Sequence, residues 1–234
     1  MTRHELKEQL QHDKFKDSVA SVVGYTATHR SQVVRWVVIG AVAAIIIGAA
    51  AWYLSYRSSV RQQDLETAFQ VLGAQVGPAN QFAKTYPTEA AKQQASIKAL
   101  NDVIAKDGES SREGLIALYY RGTIEAAQGN KAAERDLQQV AGSSSSCAPL
   151  AKIALAQLYA GENRVHDAQA LLRTMVEKPS DLVSKSQAQL LLAQLDQTSN
   201  PQEAKQLLNS VKAASKDDPV AARTADQIAS QIGK

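Results

Sequence analysis

The chain contains one continuous run of 18 uncharged, mostly aliphatic residues, 37–54, which read VVIGAVAAIIIGAAAWYL. As a helix that rises about 1.5 Å per residue, this run is ~27 Å long, close to the ~30 Å hydrocarbon core of a bilayer. Aromatic rings, which favour the membrane–water interface, stand at both ends: Trp36, Trp52, Tyr53 and Tyr56. Because a backbone in lipid must satisfy its own hydrogen bonds, the run predicts a transmembrane helix over residues 36–56.

Two other interpretations of this run are a cleaved signal peptide and a buried core helix. A signal peptide has a short charged start and an apolar stretch of roughly 7–15 residues, whereas about 35 residues of mostly polar tail precede this longer run. A core helix of this purity is also unexpected in a small protein. The transmembrane interpretation divides the chain into a tail (1–35), a membrane helix (36–56) and a domain (57–234).

The basic residues on the two sides of the run predict its orientation. Beyond the run, the nearest ones are Arg57 and Arg61. The tail before it carries six: Arg3, Lys7, Lys14, Lys16, Arg30 and Arg35. Basic flanks favour the cytoplasmic side, and long domains cross the membrane largely regardless of their charge. We therefore expect a cytoplasmic tail, in weak contact with anionic lipid, and an exported domain.

Small residues recur every four positions along one stripe of the run, at Gly40, Ala44 and Gly48. Small residues at this spacing allow two membrane helices to approach closely. The alternative is that glycine and alanine are simply frequent in membrane helices. The stripe remains a candidate packing face between transmembrane helices.

A repeated helical pattern follows the membrane run. Three stripes of apolar residues match one another, with their alanines 35 and 36 residues apart: Ala133, Leu137, Val140; Ala168, Leu172, Met175; and Ala204, Leu208, Val211. Each stripe is preceded by another helix and a short turn, at residues 128–130, 161–163 and 199–201. A helix–turn–helix unit with a period near 34 residues is the tetratricopeptide pattern. The sequence therefore predicts an all-α fold, a transmembrane helix followed by an α-solenoid of about three such hairpins.

Further helices are predicted on both sides of the three units. Residues 61–84 are interpreted as a helix that continues from the membrane run and is broken near Gly77 and Pro78. Residues 88–107 predict another helix, and Pro219 opens a final helix over residues 220–232, which would cap the open end of the stack. A stack needs about three repeats and atypical ends, and the chain supplies both.

The arrangement resembles a bacterial family of single-pass inner-membrane proteins with a periplasmic tetratricopeptide-like domain. The family groups the ancillary subunit of the Sec translocon with a cell-division coordinator. The resemblance is carried by residues 2–7 (TRHELK), by the membrane run and by residues 151–179. It implies assistance to newly exported proteins near the translocon, with other envelope proteins and periplasmic chaperones as partners.

No residue pattern in the sequence indicates catalysis, a metal site or a cofactor. The single cysteine, Cys147, lies in a serine-rich stretch that predicts a loop, and His166 lies in a predicted turn. Phosphate-binding glycine loops and G-x-S-x-G elbows are absent. The net charge of +3 is too small to predict nucleic-acid binding. The sequence therefore predicts a protein that is not an enzyme.

The remaining candidate for a functional site is a protein-binding groove. In tetratricopeptide stacks the first helix of each pair lines the concave surface. By the repeat register, this surface would present Ile116, Tyr119, Thr123, Ile153, Gln157 and Gln189, followed by Ala193. An uncharged, moderately apolar groove suits an extended chain or a partner helix. The alternative is that these side chains pack against the neighbouring repeat.

Three classes of function stay open at this point. The preferred one is a membrane-anchored interaction module that acts on other envelope or secreted proteins. The second is a structural organiser of an envelope complex, which would have one fixed partner. The third is a signalling protein that acts through its cytoplasmic tail.

The predicted topology is open to a direct test. Protease added to spheroplasts should digest the domain after residue 58 and spare the tail, because the basic tail is expected on the cytoplasmic side. Immunoblots with antibodies against each end would follow both parts. Digestion of the tail with protection of the domain would reverse the orientation.

Overall fold

The computed structural model describes residues 30–78, 84–214 and 218–232, with only the backbone described at 30–33 and 37. These residues form nine helices and one small sheet. In chain order the elements are α1 (Arg30–Leu72), β1 (Gln75–Val76), β2 (Thr85–Tyr86), α2 (Glu89–Asp107), α3 (Arg112–Ala127), α4 (Ala132–Ala141), α5 (Ala148–Gly161), α6 (Val165–Glu177), α7 (Lys185–Ser199), α8 (Pro201–Ala214) and α9 (Pro219–Ala229). The fold is thus mostly helical. The predicted tail before residue 30 lies outside the described residues.

Helix α1 contains the apolar run. It is long and apolar enough to span a membrane, the one such helix in the part of the chain that the structure describes. The side chains from 38 to 60 are exposed, which suits a segment whose solvent is lipid. Gly40 and Gly48 have open space around them, and Ala44 is exposed, so packing through the small-residue stripe stays a prediction.

The prediction of a helix over residues 61–84 is wrong after Leu72. Helix α1 ends there, and the Gly73 N–H still donates to the Phe69 carbonyl at 2.8 Å. Strands β1 and β2 then pair in parallel, and the Gly77 N–H donates to the Tyr86 carbonyl at 2.9 Å. Gly73 and the residues around Pro78 disfavour helix continuation, and Val76 and Tyr86 favour extended backbone. Residues 79–83 lie outside the described residues.

The remaining helix boundaries follow local signals in the sequence. Thr88, Ser111 and Ser184 each accept a hydrogen bond from a first-turn N–H with their side chains, as N-caps of α2, α3 and α7. The predicted turns are confirmed between α3 and α4, between α5 and α6, and between α7 and α8. Gly129 (φ 69°) and Asn163 (φ 63°) adopt left-handed backbone in the first two, the conformation that glycine and asparagine tolerate best.

The three predicted apolar stripes all lie in the core. Their alanines Ala133, Ala168 and Ala204 are fully buried on α4, α6 and α8, and the larger members of each stripe are buried beside them. Gly122 on α3 marks another close approach between helices, because a Cβ at this position would lie 3.0 Å from Cγ of Leu137 on α4. Small residues at these points allow the paired helices to approach closely. Consecutive helices contact one another along the chain from α2 to α9.

The core of the domain consists of two groups of buried residues. The larger group joins helices from the end of α1 to α7 and includes Leu65, Leu100, Leu118 and Leu172. The smaller group joins α7, α8 and α9, with Ala193, Leu208 and Ile228 among its members. The predicted final helix is confirmed, although it ends at Ala229 rather than at residue 232. Helix α9 packs against α7 and α8.

Overpacking at a helix crossing should lower the stability of the fold. Ala168→Leu places three extra carbon atoms where the native side chain is fully buried, and such overpacking typically costs about 1–3 kcal/mol. We expect a lower melting temperature for the full chain in detergent, measured by circular dichroism at 222 nm. Ala170→Leu, at an exposed position of the same helix, is the matched control. Equal melting temperatures for the two variants would contradict the close crossing.

Candidate protein-binding clefts

The first cleft lies between α5 and α7 and has a volume of about 410 Å³. We call it the α5–α7 cleft. Helix α6 contributes Leu172, which also belongs to the core. The other lining residues are uncharged and come from α5 (Ile153, Ala156, Gln157, Ala160) and α7 (Leu191, Gln194, Leu195, Gln197). The cleft is therefore apolar, with glutamine amides as its polar groups.

The second cleft, the α3–α5 cleft, has a volume of about 530 Å³. Its residues come from the end of α3 and its turn (Thr123, Ala126, Ala127, Gly129) and from the end of α5 (Ala154, Gln157, Leu158, Gly161, Glu162). Glu162 is the charged member, and its carboxylate lies 3.2 Å from the Arg164 guanidinium. Glu162 shares this guanidinium with Glu134 and Asp167.

Gln157 lines both clefts. On α5, Ile153 and Ala160 lie on one side of it, and Ala154 and Gly161 on the other. Residues three and four apart share a helix face, so these positions place Gln157 between the two sets, on the ridge of α5. Its side chain is exposed. The two clefts are thus neighbours, separated by a single helix whose outermost residue is a neutral amide.

Three of the six predicted groove residues, Thr123, Ile153 and Gln157, line the clefts. Ile116 and Tyr119 are half-buried and pack against the core instead. The Tyr119 ring meets the Tyr120 ring edge-on at 5.2 Å, and burial raises the pKa of the Tyr119 hydroxyl. These two residues therefore fit the alternative interpretation, in which the predicted groove residues pack against neighbouring helices.

The assignment of Gln189 and Ala193 to an exposed groove is wrong. Gln189 is 6% exposed and Ala193 is fully buried, and the Gln189 amide donates to Ser210 Oγ on α8 at 3.4 Å. Helix α7 instead presents Leu191, Gln194 and Leu195 to the cleft. The repeat register failed because the third unit departs from the common spacing. Leu191 and Leu195, two leucines four residues apart on α7, are the sequence signal that points to this face.

The turn between α5 and α6 is fixed by Arg164. Its guanidinium carbon lies 4.0 Å from the centroid of the Tyr159 ring, a favourable cation–π geometry. The same guanidinium donates to Glu134 on α4 at 3.0 Å and to Asp167 on α6 at 2.9 Å. These contacts hold the end of α5, and thereby the shared boundary of the two clefts, against the preceding and following helices.

A buried carboxyl group, that of Asp196, lies between α7 and α6. Asp196 on α7 is fully buried, accepts from the Gln169 amide on α6, and has no partner for its Oδ2 among the described residues. Burial raises the pKa of Asp196, and the negative charge of Glu203 on α8 adds to the effect. Arg173, which pairs with Glu203, opposes the shift. Asp196 therefore favours its protonated form more than an exposed aspartate does.

The other positions singled out from the sequence are structural or exposed. Cys147 is a half-buried free thiol immediately before α5, which confirms the predicted loop. His166 is exposed on α6. Within residues 30–78, 84–214 and 218–232, no three histidine, cysteine or acidic side chains come together as metal ligands.

Comparison of the chain with protein-family models, with curated proteins and with solved structures finds no match.

Replacing Asp196 by asparagine should change the pH dependence of stability. A carboxyl group whose pKa is raised in the folded state stabilises the fold below its ordinary pKa, about 4, and this contribution is lost as the pH rises through the raised pKa. Asp196→Asn keeps the acceptor for Gln169 and removes the titration. We expect the melting temperature of the variant, relative to the native chain, to rise from pH 4 to pH 7.

The control for this measurement is Asp181→Asn, the same substitution at an exposed position. Its melting temperature should differ from that of the native chain by a constant amount across the same pH range. If Asp196→Asn also gave a constant difference, the raised pKa of Asp196 would be contradicted.

Proposed function

We propose that this protein is a single-pass protein of the bacterial inner membrane that works as a non-enzymatic protein-interaction module. In this proposal the tail is cytoplasmic and the helical domain is periplasmic. The domain is a tetratricopeptide-like array of about three helical hairpins with flanking helices. Its role is to assist secreted or envelope proteins close to the Sec translocon.

The observation that carries the proposal is the pair of neighbouring clefts on α3, α5 and α7, in which Glu162 is the single charged lining residue. Their linings are mostly alanine, leucine, isoleucine and glutamine, side chains that contact other polypeptides without selecting a particular charge. Concave surfaces on alternate helices of a repeat array are the usual binding surface of such proteins. A surface of this kind suits a protein that meets many different chains.

The repeat assignment is supported by the packing of the second helices. Ala133, Ala168 and Ala204 recur at 35 and 36 residues and are all fully buried. Helices contact their neighbours in the chain, which is the expected contact pattern when hairpins stack one after another. The apolar part of α1 supports the membrane anchor by its length and composition.

Site-specific crosslinking in intact membranes tests this function. A photo-crosslinking amino acid at Gln157 or at Gln194 should capture many exported proteins and subunits of the export channel, because both positions line the clefts. Gln206, an exposed position of α8, is the matched control. Mass spectrometry would identify the adducts.

Each competing function predicts a different result from this crosslinking. A structural organiser would give one dominant adduct in fixed proportion to the protein. A signalling protein would require its tail, so deletion of residues 1–29 alone would abolish its cellular effect. If the crosslinked adducts at Gln157 and Gln194 are no more abundant than those at Gln206, the proposed interaction site is contradicted.

A further inference from the structure

The two clefts are lined by the same part of three alternate helices. The residues of α3, α5 and α7 that line them lie between the middle and the C-terminal end of these helices, with Gln157 common to both clefts. The clefts therefore form a row that runs across the three helices. A ligand that follows this row crosses α5 at Gln157.

The polar groups of the α5–α7 cleft are neutral amides, and the α3–α5 cleft adds the Thr123 hydroxyl and the Glu162 carboxylate, which pairs with Arg164. Gln157 and Gln194 are exposed, and Gln197 is half-buried with a long contact of 3.4 Å to Gln231. Each primary amide has a carbonyl acceptor and two N–H donors, which match the N–H and C=O groups of a polypeptide backbone. Ile153, Leu191 and Leu195 supply apolar contact beside these amides. The surface is therefore complementary to an uncharged backbone flanked by apolar side chains.

This chemistry favours an extended segment over a helix. The backbone groups of a helix are hydrogen-bonded to one another, so the glutamine amides could form hydrogen bonds only with the side chains of a bound helix. A helix about 10–12 Å wide would also occupy a single cleft along its length. The two clefts lie on opposite sides of α5, so a ligand that enters both must run across this helix. An extended chain can do so with its backbone N–H and C=O groups free for the glutamine amides.

We propose that one extended, uncharged polypeptide segment binds across α5, enters both clefts and crosses Gln157. This inference rests on the proposed function and specifies the partner chemistry of the same site. Segments of unfolded exported chains that alternate apolar and neutral polar residues fit this description. Charged residues within the segment weaken binding, because the α5–α7 cleft has no charged group to pair with them.

The test uses the full-length protein in detergent and three fluorescently labelled peptides with blocked ends. The first has leucine at every second position, with threonine and glutamine between. The second has the same composition in an order with helical periodicity. The third is the first with one lysine and one glutamate in its centre. Fluorescence anisotropy measures each dissociation constant, and the first peptide should bind at least about tenfold more tightly than the others, the factor expected for one unsatisfied buried polar group.

Three variants place a carboxylate on the row at exposed positions, so that folding is retained. They are Ala127→Glu in the α3–α5 cleft, Gln194→Glu in the α5–α7 cleft and Gln157→Glu on the ridge between them. Each should weaken the first peptide by about fivefold to tenfold, because a carboxylate loses hydration beside a neutral chain. Gln206→Glu, the same change on α8, should leave the dissociation constant unchanged. Melting temperatures verify that all four variants are folded.

The outcomes separate the inference from the function on which it rests. Loss of affinity in all three cleft variants supports a segment that crosses both clefts. The inference is overturned if only one of Ala127→Glu and Gln194→Glu weakens binding of the first peptide. It is also overturned if the helical peptide binds more tightly, or if the first peptide does not bind. Cleft crosslinks to exported proteins would then leave the proposed function standing. If the first peptide binds but no exported protein is crosslinked at the clefts, the proposed function is contradicted and the inferred peptide specificity stands.

Discussion

The close approach of paired helices at small side chains is the constraint on which the domain depends. Ala133, Ala168 and Ala204 are fully buried on α4, α6 and α8, and a methyl group at Gly122 would crowd Leu137. Helices that approach this closely leave their larger side chains to fill the space towards the next helices. The clefts lie between α3 and α5 and between α5 and α7. The position of the candidate binding surface is therefore a consequence of the helix crossings.

Periodic features of this kind were predictable from the sequence, because they depend on spacing along a single helix. The apolar run of α1, the three buried stripes, the turns and the starts of the helices near Thr88 and at Pro219 follow from local chemistry. Thr123, Ile153 and Gln157 line the clefts, and their role in binding stays a prediction.

The features that were missed depend on how elements rotate and pair in space. The small sheet of β1 and β2 joins residues about ten positions apart, and two-residue strands have no periodicity to detect. Gln189 was misplaced because the first helix of the third unit departs from the spacing of the others, so this amide faces α8, where it meets Ser210. A glutamine is ordinarily exposed, so composition gave no warning. Asp196, seven residues further along α7, is also buried, and the contacts with α6 and α8 explain its environment.

The division of the core into two groups has a consequence for the dynamics of the domain. The smaller group, between α7, α8 and α9, is built largely from alanines such as Ala204 and Ala225, which bury little apolar area per residue. Units held by less buried area open at lower free energy than the rest of a fold. Helix α7 contributes Leu192 to the larger group and Ala193 to the smaller one. Local opening of the smaller group would therefore remove the support from one wall of the α5–α7 cleft while the opposite wall stays folded, so we expect the width of that cleft to change with this opening.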